Sequence, residues 1–219
     1  MARVTFRARG ILLDLDGTIV DSREALLEAA RIAFAEMGQD IKNSEIVVKI
    51  PKRLELNTPI DDLLNGGDSK RFLETYLKAY YAATDTKTRP FPHMEDTLRR
   101  LSGKAKLALV TRRHVPKRKI VQELERFNLA KYFQHVITAQ DTLNPKPSPE
   151  SLIECSRLLK VEIGECLVVG DSVIDIRAGK NVGAKTIAVL SGIFSQQELE
   201  IEKPDLILES AREIPYFLD

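Results

Sequence analysis

Apolar residues along this chain gather into short continuous runs rather than alternating with polar ones. Six runs stand out: GILLDL (10–15), KLALVT (106–111), HVIT (135–138), CLVVGD (166–171), KTIAVL (185–190) and DLILES (205–210). A strand buried on one face alternates. A strand buried on both faces reads as a continuous run, and such strands belong to parallel sheets covered by helices. Between the runs the apolar residues recur at helical spacing. Met94, Leu98 and Leu101 form one stripe, and Ile120, Leu124 and Phe127 another. Leu152, Cys155, Ser156 and Leu159 repeat the pattern more weakly. Strand and helix in alternation predict a doubly wound α/β domain.

One interval breaks the alternation. From Asp21 to Arg89 the pattern is helical throughout, with Leu26, Ala30, Ala33 and Met37 on one stripe. Phe72, Tyr76 and Tyr80, with Leu73 and Leu77, form a second. The aromatic residues read as helix core rather than as a ligand box. The return segment, TKTRPFPHM, carries two prolines and no periodicity, as a linker should. The expected organisation is therefore a parallel-sheet core from 1–20 and 90–219, with a helical insertion at 21–89.

Composition narrows the function classes. The chain has 219 residues, 43% of them hydrophobic and 30% charged, with a formal net charge of +1. This length fits one large domain or a domain with an insertion. Near-neutral charge gives no general pull toward nucleic acid or membrane. No apolar run approaches the ~20 residues that span a bilayer. The basic start, MARVTFRARG, is followed by a very short apolar run that ends in Asp14, unlike a signal peptide. Cys155 and Cys166 lack zinc-like partners and C-x-x-C spacing, and read as buried, reduced thiols. The expected location is cytoplasmic. TRRHVPKRK (111–119) is the one basic cluster, and it reads as a solvated helix start or a steering patch for an anionic substrate. It has no interleaved aromatics, so nucleic acid is not expected. His93, His114 and His135 share no metal spacing.

The chemistry gathers at the carboxyl ends of the strands, where ligands sit in open parallel sheets. The first run supplies Asp14 and Asp16, and the second Thr111. The loop after the third supplies Lys146, and the fourth supplies Asp171 and, one turn on, Asp175. Each alone has an ordinary explanation. Asp16-Gly17 is a common turn pair. Ser148-Pro149 is a plausible helix start, and Asp171 could cap the following helix. All of these would have to coincide at successive strand ends. A divalent cation gives one reason for so many acids. Mg²⁺ prefers oxygen ligands and commonly uses one or two carboxylates plus phosphate and water. Asp14 and Asp171 would lie beside it, with Asp175 behind them. Residues at i and i+2 share a face while strand geometry continues. Asp14 can then attack phosphorus, while Asp16 protonates the leaving oxygen and later activates water. Lys146, the Thr111 hydroxyl and the N–H groups of the 14–17 turn would hold the phosphoryl oxygens.

Together these motifs resemble the haloacid dehalogenase superfamily. DLDGT resembles its first motif, Thr111 in LVTRR its second, Lys146 in PKPSPE its third and GDSVID its fourth. The resemblance implies a Rossmann-like core with a helical cap inserted after the first motif. It implies a Mg²⁺-dependent phosphatase of small phosphorylated metabolites, acting through an aspartyl-phosphate, with Asp14, Asp16 and Asp171 about the metal. The chain is most similar to the phosphoglycolate-phosphatase-like branch, with FPHMEDTLRRL as its re-entry helix. Asp16 disfavours dehalogenation and phosphonate cleavage, whose enzymes usually lack that acid. Two departures stand out: His93 replaces a usual small residue, and Arg112 follows Thr111 where a small or amide residue is usual. Arg112 is assigned to phosphate binding, and its side chain could favour a second anionic group. A sugar phosphomutase is the enzyme alternative, although SREALLEAA lacks the histidine usual early in that cap. A non-enzymatic phospho-acceptor domain is the other. Monomer and homodimer both remain open. The cap is expected to choose the leaving group, but nothing in it names that group.

Overall fold

The structure, a computed structural model, describes residues 5–41 and 45–219. The chain divides into two compact units, Met1–Val20 with Pro90–Asp219, and Asp21–Arg89.

The larger unit is built on six strands: β1 (Gly10–Leu13), β2 (Lys106–Val110), β3 (His135–Ile137), β4 (Cys166–Gly170), β5 (Lys185–Val189) and β6 (Leu206–Leu208). They lie in the order β3-β2-β1-β4-β5-β6. Every pairing is parallel. This is the doubly wound Rossmann-like order, in which the winding reverses beside the first strand. Each of the six apolar runs is one of these strands.

The continuous runs follow from burial on both faces. Ile11 and Leu13 of β1 pack with Leu107, Leu109, Leu167 and Val169, under Met94, Leu98, Leu101, Ile120 and Leu124. Those last five belong to α4 (Met94–Ser102) and α5 (Lys117–Arg126). Leu12, between them in sequence, faces the other way with Ala108, Val110 and Val168. There it meets Leu152, Cys155 and Leu159 of α6 (Glu150–Leu159) and Ala178 of α7 (Val173–Asn181). Burying one large aliphatic side chain is worth about 1.5–3 kcal/mol. A one-residue slip would exchange the two faces of β1, so the register is strongly specified. Phe127 falls just past α5 and is partly buried. Both cysteines are buried and free, and burial pushes their thiols up, to about 12 for Cys155 and about 11 for Cys166. They are inert core residues at neutral pH.

The smaller unit is helical, with α1 (Arg23–Glu36), α2 (Ile46–Glu55) and α3 (Ser69–Lys87). The buried stripe of α1 is Ala25, Ala29, Ala30, Ala33 and Phe34. It is rotated from the expected Leu26–Ala30–Ala33–Met37 line, whose two large residues are only partly buried. Small side chains let α1 and α3 approach closely, so packing overrides size. On α3 the buried face is Phe72, Tyr76, Ala79, Tyr80 and Ala83, while Leu77 is 39% exposed. Phe34 meets Phe72 edge-on at 4.9 Å, and Phe72 stacks on Tyr76 at 6.1 Å. The aromatics are core, as their spacing predicts. Asp68 caps α3 by accepting from the Lys70 and Arg71 amides. Among the described residues, no helix is long and apolar enough to cross a membrane.

Candidate active site

The crevice at the carboxyl edge of β1, β2 and β4 receives the loops that follow β1 to β5. Asp14 is the first residue beyond β1, and its amide still donates to Val169 O at 2.9 Å. Thr111 follows β2 in the same way, donating to Ile137 O at 2.9 Å. These ladder bonds fix the backbone while freeing the side chain. Leu15 is fully buried between Asp14 and Asp16, so the two acids both point toward the crevice. The chain then turns at Gly17, whose φ is +76°. A Cβ there would also lie 2.5 Å from Asp171 Oδ2, so only glycine fits.

Asp14, Asp171 and Asp175 come together as predicted from their strand ends. One carboxylate oxygen from each lies within 4.8 Å of the others. Lys146 enters from the loop after β3 with its side chain 3% exposed. Its ammonium donates to Asp14 Oδ1 at 2.6 Å, Asp175 Oδ1 at 2.5 Å and Val110 O at 2.9 Å. An ammonium has three protons, and all three are used. Lys146 is therefore a clamp between β1, β2 and α7. For it to touch a phosphoryl oxygen, one of these bonds must be exchanged.

Burial pushes the Asp14 carboxyl well above the usual carboxylate range. Lys146 opposes this and Asp175 adds to it. Burial alone would lower the Lys146 ammonium, but Asp14 and Asp175 outweigh it and hold the ammonium up. Three carboxylates thus face one ammonium, an arrangement short of positive charge. Its donors are all oxygen, which suits a hard divalent cation such as Mg²⁺ rather than a sulfur- or imidazole-seeking metal.

Asp171 does not cap the next helix. Ser172 does, accepting from the Ile174 amide at 3.3 Å, while Asp175 Oδ2 accepts from the Ser172 amide at 3.2 Å. Asp175 is thereby fixed through both oxygens. Asp171 instead accepts from the Thr18 hydroxyl at 3.2 Å. Helix α6 begins one residue later than Ser148-Pro149 predicts: Pro149 is the cap position, and Ser148 Oγ accepts from the Glu150 amide at 3.4 Å.

Sequence reasoning missed several neighbours. Arg113, next to the expected Arg112, is the buried arginine. Its Nε and Nη2 donate to the two oxygens of Asp16 at 2.7 and 2.6 Å. Its Nη1 donates to Glu123 of α5, which is also buried. Arg112 itself is half-buried. The basic cluster therefore divides: Arg113 belongs to the site, and Lys117, Arg118 and Lys119 are exposed on the start of α5. The loop after β5 adds two more residues. Ser191 Oγ donates to Gly17 O at 2.6 Å. A Cβ at Gly192 would lie 1.7 Å from Asp171 Oδ2. The sequence signal for these was a small-residue pair, Ser191-Gly192, one residue past a strand.

The two acids of the first loop thus have different surroundings. Asp14 shares an ammonium with a second carboxylate. Asp16 is gripped by a guanidinium, with its side chain 25% exposed. Such division of one carboxylate pair between two environments is how acid–base and nucleophilic roles are separated.

Comparison with known proteins agrees with this geometry. The family model described as "Haloacid dehalogenase-like hydrolase" matches residues 11–189. A phosphoglycolate phosphatase of Escherichia coli (strain K12) is 29% identical, over 94% of this chain and 90% of its own. A haloacid dehalogenase-like family hydrolase from Streptococcus pneumoniae superposes with a TM-score of 0.81 at 18% identity, covering 96% of this chain and 98% of its own. A Thermotoga maritima structure provisionally assigned as a β-phosphoglucomutase superposes with a TM-score of 0.70 at 21% identity, covering 95% and 97%.

Proposed function

This chain belongs to the haloacid dehalogenase-like hydrolases, and on that premise we propose that it is a Mg²⁺-dependent phosphatase of small phosphomonoesters, of the phosphoglycolate class. The convergence of Asp14, Asp171, Asp175 and Lys146 at one sheet edge carries this reading, with Asp16 held apart from them. The name of the E. coli relative supports the substrate class.

Asp14 attacks phosphorus, its C–O–P bond forming as the ester P–O bond breaks. Asp16, entering the step protonated, delivers that proton to the departing alkoxide oxygen. The same carboxylate then takes a proton from water, which attacks the aspartyl-phosphate and frees inorganic phosphate. The Thr111 hydroxyl and the amides of the 14–17 turn hold the phosphoryl oxygens. Asp14 and Asp171 would hold the cation, and Asp175 orients Lys146 behind them. When bound, Mg²⁺ offsets the repulsion between the nucleophile and the phosphate, about 4 kcal/mol per unit-charge pair at 4 Å and an effective dielectric of 20.

The test is release of inorganic phosphate from a panel of phosphoesters, including 2-phosphoglycolate and sugar phosphates. Release should require Mg²⁺ and stop in EDTA. Transfer of the phosphoryl group to a sugar without free phosphate would establish the mutase instead. A stable phosphorylated Asp14 without turnover would point to a phospho-acceptor.

Gly192→Ala should lower kcat by on the order of 10²-fold, because the added methyl must move either Asp171 or its own loop by about 1 Å. Thermal melts should show no more than the ~1–3 kcal/mol cost of overpacking. Wild-type kcat from the folded variant would remove the loop after β5 from the site.

A further inference from the structure

We propose that Arg113 and Glu123 are positioning residues, a buried relay that orients the Asp16 carboxylate for proton transfer. The inference rests on the phosphatase reading above and assigns a role to two charges that the reading leaves unused.

Glu123 lies on the buried face of α5 with Ile120 and Leu124. That helix is otherwise strongly charged and exposed, and a leucine at 123 would complete its apolar stripe. Arg113 and Glu123 have side chains only 4% and 6% exposed. A buried ion pair of this kind is often no more stabilising than apolar residues of similar volume. Stability therefore gives little reason for it, whereas geometry gives a definite one. The guanidinium is a rigid planar fork. One edge of it meets both oxygens of Asp16, at 2.7 and 2.6 Å. The opposite nitrogen is held by Glu123. The Arg113 backbone is also tied down: its amide donates to Thr111 Oγ1 at 3.2 Å, and its carbonyl accepts from the Ala139 amide at 3.2 Å.

The consequence is a chain of restraint from α5 through Arg113 to Asp16. Asp16 sits on a turn rather than in the sheet, and its side chain is the more exposed of the two first-loop acids. Without a partner its carboxylate would sample several rotamers, few of them aimed at the leaving oxygen. Bidentate pairing fixes the carboxylate plane as well as its position. A lysine would supply the charge without the plane.

Arg113→Lys keeps the charge but not the planar fork, and Glu123→Gln keeps the shape, so both should fold. Each is assayed with an aryl phosphate and an alkyl phosphate in Mg²⁺, alone and combined with Asp16→Asn. Arg113→Lys should lower kcat by about 10- to 100-fold, less than the ~10²- to 10⁴-fold of a whole general acid–base contribution because the acid is misaligned rather than removed, with KM changed less than about 3-fold. Glu123→Gln should act in the same direction more weakly. In the Asp16→Asn background neither should lower kcat further, because the group they position has gone. Additive losses in that background, or an effect confined to KM, would overturn the proposal and make Arg113 a phosphate ligand or a structural pair. Wild type is assayed first: if it releases no phosphate from either ester, the phosphatase reading itself fails. Wild-type turnover with an unaffected Arg113→Lys would sink only the relay.

Discussion

Asp14→Asn should reduce phosphate release by on the order of 10⁴-fold or more while leaving the protein folded. The amide has the shape of the carboxylate but is a far poorer nucleophile toward phosphorus, and losing a covalent nucleophile is among the largest single effects in enzymes. Stability should not fall. The substitution removes one of three carboxylates that face a single ammonium, so like-charge repulsion decreases, and Lys146 retains Asp175 and Val110 O. The measurement pairs turnover of an aryl phosphate with a thermal melt of the same preparation. Turnover within 10-fold of wild type would require a different nucleophile. A lower melting temperature would mean that Asp14 contributes to the fold in a way the Lys146 clamp does not explain.

Lys146→Met should have the largest effect on stability. The ammonium is buried and satisfies two carboxylates and a strand-end carbonyl at once. Removing one partner of a buried pair costs about 3–5 kcal/mol, because charges are left without compensation. The loss should depend on pH with a defined sign. Without the ammonium that opposes it, burial raises the affinity of Asp14 for protons further in the folded state. The destabilisation is then full at neutral pH and shrinks as pH falls and the Asp14 carboxylate is neutralised. Urea unfolding in metal-free buffer at pH 7.5 and pH 5 measures both terms. Millimolar Mg²⁺ should restore part of the loss at pH 7.5, as a cation that binds the folded carboxylates must. A variant as stable as wild type at both pH values would show that Lys146 is not the clamp described. Vanadate affinity, measured on the same variant, should also weaken.

Much of the site was legible because β1, β2 and β4 announce their own ends. An apolar run buried on both faces stops where the chain enters the crevice, and the next residue is the one presented there. Asp14, Thr111 and Asp171 each follow a strand directly. Their order along the chain was enough to bring them to one edge, because the connections in a doubly wound sheet are constrained. Beyond a strand end no period remains to be counted. Whether Arg112 or Arg113 turns inward depends on the path of the loop, and neither hydropathy nor charge distinguishes two adjacent arginines. Glu123 was hidden for a related reason: in KRKIVQELER it is one charge among many, and only its place between Ile120 and Leu124 on the buried face sets it apart. The α1 stripe was misplaced because leucine and methionine outweigh alanine on any hydropathy scale. Close helix contact rewards the small residue instead, and the alanines at 25, 29, 30 and 33 were the available sign.

By itself, then, the amino-acid sequence determined the parallel sheet, the helical insertion and the set of acids and the lysine brought to the sheet edge. These follow from burial and from strand-to-strand connectivity, which act on residues near in sequence. The tertiary structure decided what each charged group does with its hydrogen bonds. Arg113 and Asp16 are 97 residues apart, Lys146 and Asp14 are 132 apart, and Ser191 and Gly17 are 174 apart. Whether such groups meet at bonding distance depends on loop paths and on the packing of every strand between them. A guanidinium fork, a saturated ammonium and a glycine against a carboxylate are fixed at the scale of an ångström, and only the folded chain sets distances that fine.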